Sequence, residues 1–588
     1  MHLNDALGRH PQLRIIFNHH EQAAAIAAES YARVGGSPAA LNVTTGPGGI
    51  NALNGVFGAY VDSIPMIVIS GQVKRETYAP NFDHALRQLG DQEVDIVSMV
   101  RRITKYAVVL QVPERTREVV EKAIWLSMRG RPGPVWIDVP GDVQGAIVDS
   151  DALAPFDRTA GVDDPEINPN TAGEANHLAG APLGFETDRV ISELRRAERP
   201  VILAGNGVRL SGRHKAFLEL IDRAGVPVTT GWNAHDLIPN DHRLYAGRPG
   251  TIGDRAGNFV VQNADYLLVL GCRLNIRQVS YNWGSFARNA RVVMVDVDPA
   301  ELRKPTLNLH RAIHADVGDF IELCLNSLAD APARVAHGRY LTWARERVTA
   351  HPTVPSSYWA KQNPVNPYCF AEALFDQLDE RDIIVTGDGT ACVTVFQAAR
   401  LKAGQRLYTN SGCASMGYDI PAAIGAFYAT GARRIVCIAG DGSIMMNLQE
   451  LQTISGGRLP IKIFVLNNDG YHSIRQTQQN YFPDGIVGCG PDSGLSFPDF
   501  TKVANAFSIE ASRICDHHCL ALGIAEALRG ARPHLCELVI DKEQQFAPKL
   551  TSRRLPDGSM MSSPLEDMAP FLPREEFERN MLTPEVVG

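Results

Sequence analysis

The motif with the clearest chemistry lies in the C-terminal third of the chain. An apolar run, RIVCIA, ends at GDG (440–442), and the next one, IKIFVL, ends at NNDG (467–470). The carboxyl ends of neighbouring parallel strands meet at one edge of a sheet, so a carboxylate, an amide and a glycine carbonyl should face one point. Such hard oxygen ligands suit Mg²⁺, and the flanking glycines let a diphosphate approach the backbone. A plainer interpretation is that Asp441 only caps a helix and the asparagines only begin a turn.

Two more segments carry residues that could do chemistry. Glu21 begins an Ala-rich helix in HHEQAAAIAAESYARVGG, where on position alone an acidic side chain would complement the helix dipole. Cys515 and Cys519 flank two histidines, but a structural zinc site needs four ligands and no second pair stands nearby. Since the ten cysteines are scattered along a long chain, we expect reduced thiols and no disulfides.

The elements that must position these residues are strands and helices in alternation. Three stretches show this pattern, which predicts an α/β protein with three doubly wound parallel-sheet domains. The predicted strands are RIIFN, LNVTTGPGG, PMIVISG and PVWIDVP; PVILAGNG, PVTTGW, DYLLVLG and RVVMVDVD; and DIIVTGDG, RRIVCIAGDG, IKIFVLNNDG and HLCELVID. The predicted boundaries are domains at 1–150, 186–335 and 363–550, linkers at 151–185 and 336–362, and a C-terminal arm at 551–588.

Composition narrows the class of protein. The chain has 588 residues, 45% of them apolar and 21% charged, which is ordinary for a folded multidomain protein. With 57 basic and 65 acidic residues the net charge is −8, which argues against nucleic acid as a partner. The N-terminus does not resemble a secretory leader, and no apolar run approaches 18 residues, so we expect a cytoplasmic protein that does not enter a membrane.

Taken together, the motifs resemble those of the thiamine diphosphate enzymes, whose signature is GDG followed some two dozen residues later by NN. The resemblance is closest to the acetolactate synthase group, through GPGGINALNGVFGAYVDSIPMIVISGQ, QEVDIVSMVRRITKY, SMGYDIPAAIGA and GDGSIMMNLQELQT. It implies pyrimidine-binding, central flavin-type and diphosphate-binding domains, with Mg²⁺ held by Asp441, Asn468 and the carbonyl of Gly470. The cofactor-binding residues that it implies are Thr390, Met416, Gly440, Gly442 and Ser443.

The resemblance also assigns roles in the first domain. Glu21 corresponds to the catalytic glutamate, which hydrogen-bonds the pyrimidine ring and so promotes removal of the thiazolium proton. Gln92 and Lys105 correspond to polar active-site positions, although either residue alone would be expected at the surface. In this family the glutamate and the metal motif of one site come from different subunits, which implies a homodimer or homotetramer with active sites at the interface.

The central domain resembles the flavin domain of the same group. This resemblance implies FAD, bound by a set of residues that follow the predicted strands: Gly250, Thr251, Arg273, Arg277 and Asp296.

The activity implied is decarboxylation of pyruvate with transfer of the two-carbon unit to an acceptor carbonyl. Asp91 and Thr477 stand where the group has a phenylalanine and a tryptophan, so we expect them in an enlarged, more polar acceptor pocket. A nucleotide-linked keto-sugar is therefore an alternative acceptor. An FAD-linked 2-oxoacid oxidase or lyase is a further possible function, because the same fold hosts these chemistries, and a non-catalytic homologue is another.

The start of the chain also departs from the resemblance. Family members have a strand, a helix and a second strand before the segment that corresponds to MHLNDALG, so we expect the first domain to lack its first strand and helix and Met1 to be an internal methionine.

Overall fold

The computed structural model describes most of the chain, namely residues 2–83, 85–158, 166–168, 183–328, 335–482, 485–554, 557–558 and 560–583. It contains three parallel sheets flanked by helices, which confirms the predicted fold class. Most of the predicted linker 151–185 lies outside the described residues. Within the described ranges, none of the helices has both the length and the apolar character needed to cross a lipid bilayer.

The first domain has a four-stranded parallel sheet of order β1-β2-β4-β3. Its elements are α1 (His2–Arg9), α2 (Glu21–Gly35), β1 (Ala39–Val43), α3 (Pro47–Asp62), β2 (Met66–Gln72), α4 (Ile96–Val100), β3 (Tyr106–Val109), α5 (Thr116–Met128), β4 (Pro134–Pro140) and α6 (Gly141–Gln144). The prediction that RIIFN forms a buried strand is wrong. This segment lies outside the sheet, and Leu13, Ile15 and Phe17 in and beside it are 49%, 37% and 79% exposed.

The central domain has a five-stranded parallel sheet of order β6-β5-β7-β8-β9. Its elements are α7 (Leu183–Arg196), β5 (Pro200–Ala204), α8 (Gly207–Leu210), α9 (His214–Ala224), β6 (Val228–Thr230), α10 (Arg255–Gln262), β7 (Tyr266–Leu270), α11 (Ile276–Val279), β8 (Arg291–Asp296), β9 (Arg311–His314), α12 (Val317–Ser327) and α13 (Val335–Ala350). Helix α13 falls in the segment expected to be a linker at 336–362. It is ordered there because Tyr340 and Ala344 are buried in the core of the central domain.

The third domain has a six-stranded parallel sheet of order β11-β10-β12-β13-β15-β14. Its elements are α14 (Pro367–Gln377), β10 (Ile383–Thr386), α15 (Thr390–Ala398), β11 (Arg406–Tyr408), α16 (Asp419–Thr430), β12 (Ile435–Gly440), α17 (Asp441–Ile444), α18 (Leu451–Gly457), β13 (Ile461–Asn467), α19 (His472–Tyr481), α20 (Phe500–Ala506), β14 (Glu510–Ile514), α21 (Leu520–Leu528) and β15 (His534–Val539). The segment beyond it forms the antiparallel pair β16 (Ser552–Arg554) and β17 (Met560–Ser562), and α22 (Arg574–Arg579).

Buried and partly buried polar contacts join the domains. Arg131 of the first domain forms ion pairs with Asp298 and Glu301 of the central domain. Arg248 of the central domain, 2% exposed, donates to the backbone carbonyl oxygens of residues 396 and 399 in the third domain. The C-terminal arm is held on the central domain by Glu566, which pairs with Arg288.

Candidate active site

The predicted metal ligands meet at the carboxyl ends of β12 and β13. Asp441 is 2% exposed, and its Oδ1 and Oδ2 accept the backbone N–H groups of Gly442 (2.8 Å) and Gly470 (2.9 Å). Burial raises the pKa of Asp441 to about 7, although these hydrogen bonds favour the ionised form. The Nδ2 of Asn468 donates to the Thr390 Oγ1 at 3.3 Å. The Asn468 Oδ1 is buried and has no hydrogen-bond partner among the described residues.

This donor set fits Mg²⁺. A buried amide oxygen without a partner is costly, and a cation at this point would satisfy it. The neighbouring Asp441 carboxylate supplies the negative charge and retains acceptor capacity, because each oxygen accepts one N–H group. Gly470 has a φ of +148°, and a Cβ there would lie 1.7 Å from the carbonyl oxygen of Cys489. The turn that carries the third predicted ligand therefore requires glycine.

The predicted cofactor-binding residues surround the same point. Strand order reverses between β10 and β12, which is where open α/β sheets bind ligands. A cavity of about 1250 Å³ opens there, and its walls include Thr390, Met416, Gly440, Gly442, Ser443, the three predicted metal ligands and Thr477. The structure thus brings together every third-domain residue predicted for the site, and the glycine turns leave room for a diphosphate.

Hydrogen bonds hold the turn that carries Met416. Gly417 has a φ of +81° and donates its N–H to the Ser443 Oγ at 2.8 Å. The same hydroxyl donates to Asp419, whose pKa is raised to about 6 by burial. The Asn447 Nδ2 donates to the carbonyl oxygen of Gly417 at 2.8 Å. Met416 therefore stands on a turn that is fixed from both sides at the wall of the cavity.

Sequence reasoning missed a second acidic turn at this site. The strand β10 also ends in GDG (387–389), and Asp388 lines the same cavity as Asp441. Burial raises the pKa of Asp388, while Arg277 lowers it. The repetition of GDG after two strands of one sheet is the signal that could have identified it.

Glu21 and Gln92 lie near each other on the first domain. Glu21 is the first residue of α2, and its Oε2 accepts the Asn51 Nδ2 at 3.1 Å. A Cβ at Gly48 would lie 3.5 Å from the Glu21 Oε1, and a Cβ at Gly46 would lie 2.1 Å from the carbonyl oxygen of Gln92. Glu21 and Gln92 therefore both lie against the GPGG turn that follows β1, which brings the two predicted residues close together. Asp91, the neighbour of Gln92, is exposed.

Lys105 is not brought to this group, contrary to its predicted role in catalysis. It directly precedes β3, whereas Gln92 contacts the turn that follows the carboxyl end of β1. Lys105 is 5% exposed, and its Nζ donates to the backbone carbonyl oxygens of Arg129 and Arg131 just beyond α5. Since parallel strands carry their sites at the carboxyl ends, these contacts place Lys105 at the wrong edge of the sheet. The hydrogen bonds that Lys105 donates to the loop after α5 therefore stabilise the fold of the first domain.

The first-domain residues also stand apart from the metal ligands within one chain. The described residues that line the 1250 Å³ cavity all belong to the central domain, the third domain, the segment that joins these two domains and the segment that follows the third. Glu21, Asp91 and Gln92 are not among them.

A second cavity lies between the first and central domains, at the strand-order reversal between β5 and β7. A Cβ at Gly205 would lie 2.3 Å from the carbonyl oxygen of Gly271, so the two strand ends approach as only glycines permit. This is the position at which such sheets hold nucleotides, so the cavity fits a cofactor of the nucleotide type. Of the residues predicted to bind FAD, those that line this cavity are Gly250, Arg273, Arg277 and Asp296.

The remaining predicted FAD residue has a different environment. Thr251 does not line the cavity; its backbone N–H donates to the carbonyl oxygen of Arg277 at 2.8 Å, and its carbonyl accepts from Leu550. Asp296 is 7% exposed at the end of β8, and burial raises its pKa to about 6. Arg277 lines both cavities and is exposed to solvent.

Comparison with known proteins agrees with this geometry. Models of the thiamine pyrophosphate enzymes match the chain in three parts: the N-terminal TPP binding domain at residues 1–99, the central domain at 187–323 and the C-terminal TPP binding domain at 387–538. The chain therefore belongs to the thiamine pyrophosphate enzymes, among the relatives of the acetolactate synthase large subunits, as the sequence motifs predict.

Three relatives cover most of the chain. The acetolactate synthase isozyme 1 large subunit of Escherichia coli (strain K12) is 31% identical over 545 residues, which are 92% of this chain and 90% of the relative. The probable acetolactate synthase large subunit of Methanocaldococcus jannaschii is 32% identical over 532 residues, 90% of this chain and 85% of the relative. Acetolactate synthase 1, chloroplastic, of Zea mays is 31% identical over 565 residues, 94% of this chain and 83% of the relative.

Proposed function

We propose that this chain catalyses thiamine diphosphate-dependent decarboxylation of pyruvate and transfers the two-carbon unit to an acceptor carbonyl. The observation that carries the proposal is the buried Asn468 Oδ1, which lies beside the Asp441 carboxylate and finds no partner in the described part of the chain, in a protein that belongs to the thiamine pyrophosphate enzymes. The relatives do not favour the keto-sugar carboligase, the oxidase or lyase, or the non-catalytic homologue.

The third domain holds the diphosphate and its metal ion. Asp441, Asn468 and the carbonyl of Gly470 bind Mg²⁺, and Gly440, Gly442, Ser443 and Thr390 border the diphosphate. Met416 supports the cofactor from the wall of the cavity. When bound, the cofactor supplies a thiazolium carbon that can add to a 2-oxo acid and take up the electrons left by the departing carbon dioxide.

Glu21 is the acid–base group. Its Oε2 already accepts a hydrogen bond from Asn51, so Oε1 holds the proton that is shared with the pyrimidine ring. Gln92 borders the same part of the pocket. The assembly is a homodimer or homotetramer in which Glu21 of one chain completes the cavity of another, which is supported by the absence of first-domain residues from the described walls of that cavity.

FAD occupies the second cavity. Gly250, Arg273, Arg277 and Asp296 line it, and Thr251 acts through its backbone by holding the loop at Gly250. The proposed substrates are a 2-oxo acid and a carbonyl acceptor. A cytoplasmic location remains a prediction from the sequence.

Thr477 and Asp91 shape the acceptor pocket. Thr477 is exposed on α19 and lines the cavity. Asp91 is exposed beside Gln92 and does not line the cavity of its own chain, so it contributes to an acceptor pocket only in the proposed dimer or tetramer. We expect Thr477→Trp to leave carbon dioxide release from pyruvate unchanged and to lower kcat/KM at least tenfold for bulky ketone acceptors, because the indole fills acceptor space. Equal losses of kcat/KM for small and bulky acceptors would show that Thr477 does not contribute to the acceptor pocket.

The direct test of the function uses isotopically labelled pyruvate. The chain is incubated with thiamine diphosphate, Mg²⁺, FAD and a panel of carbonyl acceptors, and the products are identified by mass spectrometry. The expected result is release of labelled carbon dioxide together with a product two carbons longer than its acceptor. The matched control is Glu21→Gln, which keeps the shape of the side chain but cannot share the proton. Product formation by that variant at the rate of the unaltered chain would contradict the proposal.

A further inference from the structure

Glu450 connects the third domain to the segment that precedes Glu21, and it does not line the cavity. It is the last residue of the short helix Met445–Glu450, which directly follows α17 and the metal ligand Asp441. Its side chain is completely buried. This carboxylate belongs to the third domain, yet of the four hydrogen-bond donors that it has among the described residues, three belong to the first domain.

The four donors divide evenly between the two oxygens. Oε1 accepts the backbone N–H groups of His19 at 2.9 Å and His20 at 3.1 Å. Oε2 accepts the Asn18 Nδ2 at 3.0 Å and the Thr453 Oγ1 at 2.6 Å. An ionised carboxylate is buried only when such donors compensate for the lost water, and hydrogen bonds to a charged group are among the stronger ones. Residues 18–20 are therefore held tightly in one conformation.

That segment immediately precedes Glu21. His20 is the N-cap of α2, in an extended conformation, and its side chain accepts the N–H of Gln22. The backbone of His20 is thus fixed by Glu450 on one side and by its own cap on the other. Since Glu21 is the next residue, the direction in which its side chain leaves the helix follows from this anchoring. Asn51 then holds one carboxylate oxygen.

We propose that Glu450 is a positioning residue, whose buried carboxylate anchors residues 18–20 across the domain boundary and thereby aims Glu21 at the cofactor. This inference rests on the proposed function, because it requires Glu21 to act on the cofactor. The same short helix carries Asn447, which holds the turn after Met416. The helix Met445–Glu450 therefore holds both the turn that carries Met416 and the start of α2 in place.

Three variants test whether Glu450 anchors residues 18–20 or only stabilises the fold as a whole. Glu450→Ala removes both acceptor oxygens. Glu450→Gln retains one oxygen for His19 and His20 and should rescue part of the effect. Asn18→Ala is the matched control, because it removes one side-chain donor and leaves both backbone N–H groups on Glu450. Melting temperature and cofactor affinity are measured for all three.

The first readout needs no cofactor. In the cofactor-free protein, amide hydrogen exchange at His19 and His20 should become at least tenfold faster in Glu450→Ala and change little in Asn18→Ala. The second readout is exchange of the C2 proton of added thiamine diphosphate in the presence of Mg²⁺. Misplacing a catalytic group by about 1 Å can cost about 10²-fold, so Glu450→Ala should slow this exchange by at least tenfold, with Glu450→Gln in between.

A double-mutant cycle decides whether Glu450 acts through Glu21. In a Glu21→Gln background, Glu450→Ala should produce almost no further slowing of C2 exchange, because the group it positions is already disabled. Additive losses, or unchanged amide exchange at His19 and His20, would overturn the inference and leave the proposed function intact. If Glu21→Gln alone exchanged the C2 proton at the unaltered rate, both the role of Glu21 and this inference would be rejected.

Discussion

Single buried polar groups define the proposed metal site of this protein. Asp441 and Asn468 are both nearly inaccessible, yet the carboxylate retains acceptor capacity and the amide oxygen has no partner among the described residues. Buried polar atoms that lack hydrogen-bond partners indicate that the interior is organised around a ligand that satisfies them. The hydrogen bond from Asn468 to Thr390 also links this site to the turn after β10.

The first prediction concerns these two side chains. Asp441→Ala should abolish Mg²⁺-dependent binding of thiamine diphosphate, because the metal loses its anionic protein ligand while it still faces a diphosphate. Asn468→Ala should weaken binding by at least the roughly 10- to 100-fold that is typical of groups outside the first coordination shell. Titration calorimetry measures both, with the exposed Asn505→Ala as the control. Cofactor affinity in Asp441→Ala equal to that of the unaltered chain would reject the metal assignment.

The second prediction concerns pH. Asp138, which lies within β4, is fully buried and accepts hydrogen bonds from Ser70 and Gln72, and burial raises its pKa to about 7. Between about pH 4 and 7 the folded chain keeps this proton while the unfolded chain has released it. Because the folded state then binds more protons, the stability contributed by Asp138 decreases as pH rises through this range.

Its test is Asp138→Asn, which keeps the shape and removes the titration. Thermal unfolding is measured for both proteins from about pH 5 to 7, within the range in which the two states differ in protonation. The melting temperature of the unaltered chain should fall relative to that of Asp138→Asn as pH rises, and the exposed Asp151→Asn should follow the unaltered chain. Parallel curves for Asp138→Asn and the unaltered chain would show that Asp138 does not titrate in this range.

At the scale of elements, the position of Glu21 depends on the crossing of α2 and α16. The two helices approach so closely that a Cβ at Gly425 would lie 2.1 Å from the carbonyl oxygen of Ala27. At the crossing, the Ser30 hydroxyl lies 2.6 Å from both the carbonyl oxygen of Ala422 and the Tyr408 hydroxyl. The helix that starts with the proposed catalytic glutamate is therefore packed directly against the third domain of its own chain.

The third prediction follows from this close approach. Gly425→Ala should destabilise the protein by about 1–3 kcal/mol or more, since α2 and α16 must separate to accept the methyl group. The matched control is Gly456→Ala on the exposed side of α18, where the new Cβ meets only the end of Gln452 at 3.9 Å. That control should be neutral or slightly stabilising. Chemical denaturation compares the two, and equal stabilities would show that the crossing tolerates a side chain.

At the scale of the whole molecule, one chain carries both sets of residues that are predicted for the site but does not bring them to one cavity. The described walls of the 1250 Å³ cavity contain no first-domain residue, and Glu450 and the α2–α16 crossing hold Glu21 to its own third domain. This arrangement is what the proposed symmetric dimer requires, since in it each chain completes the other's cavity.

The fourth prediction tests that assembly. Glu21→Gln and Asp441→Ala should each be nearly inactive when expressed alone. When the two are co-expressed, half of the dimers are mixed and one of their two sites is intact, so activity should return to about a quarter of that of the unaltered chain. Analytical ultracentrifugation confirms that the chains are associated. If each site were formed within one chain, co-expression would restore no activity.

The sequence by itself determined the chemistry of the turns. A strand followed by GDG, or by NN and a glycine, is a local pattern, because the turn conformation and the ligand atoms belong to adjacent residues. The buried central strands were predictable for the same reason, as in RIVCIA and IKIFVL, since both faces of such a strand are covered and its residues are uniformly apolar. The family followed from these motifs, and the comparisons confirm it.

Only the tertiary structure decided which strands lie at the sheet edges and where distant residues meet. The strands of the three parallel sheets that are missing from the prediction, β3, β9, β11 and β14, are all edge strands of three to five residues. Three of them, β9, β11 and β14, include charged residues, because one side of an edge strand is not covered by another strand. Lys105 lies at the wrong edge of the first sheet because β3 begins just after it. Glu450 contacts His19 across 431 positions of the chain, a pairing that depends on how two domains pack. Local spacing carries no information about such a contact, so the residue that we propose positions Glu21 could be found only in the folded chain.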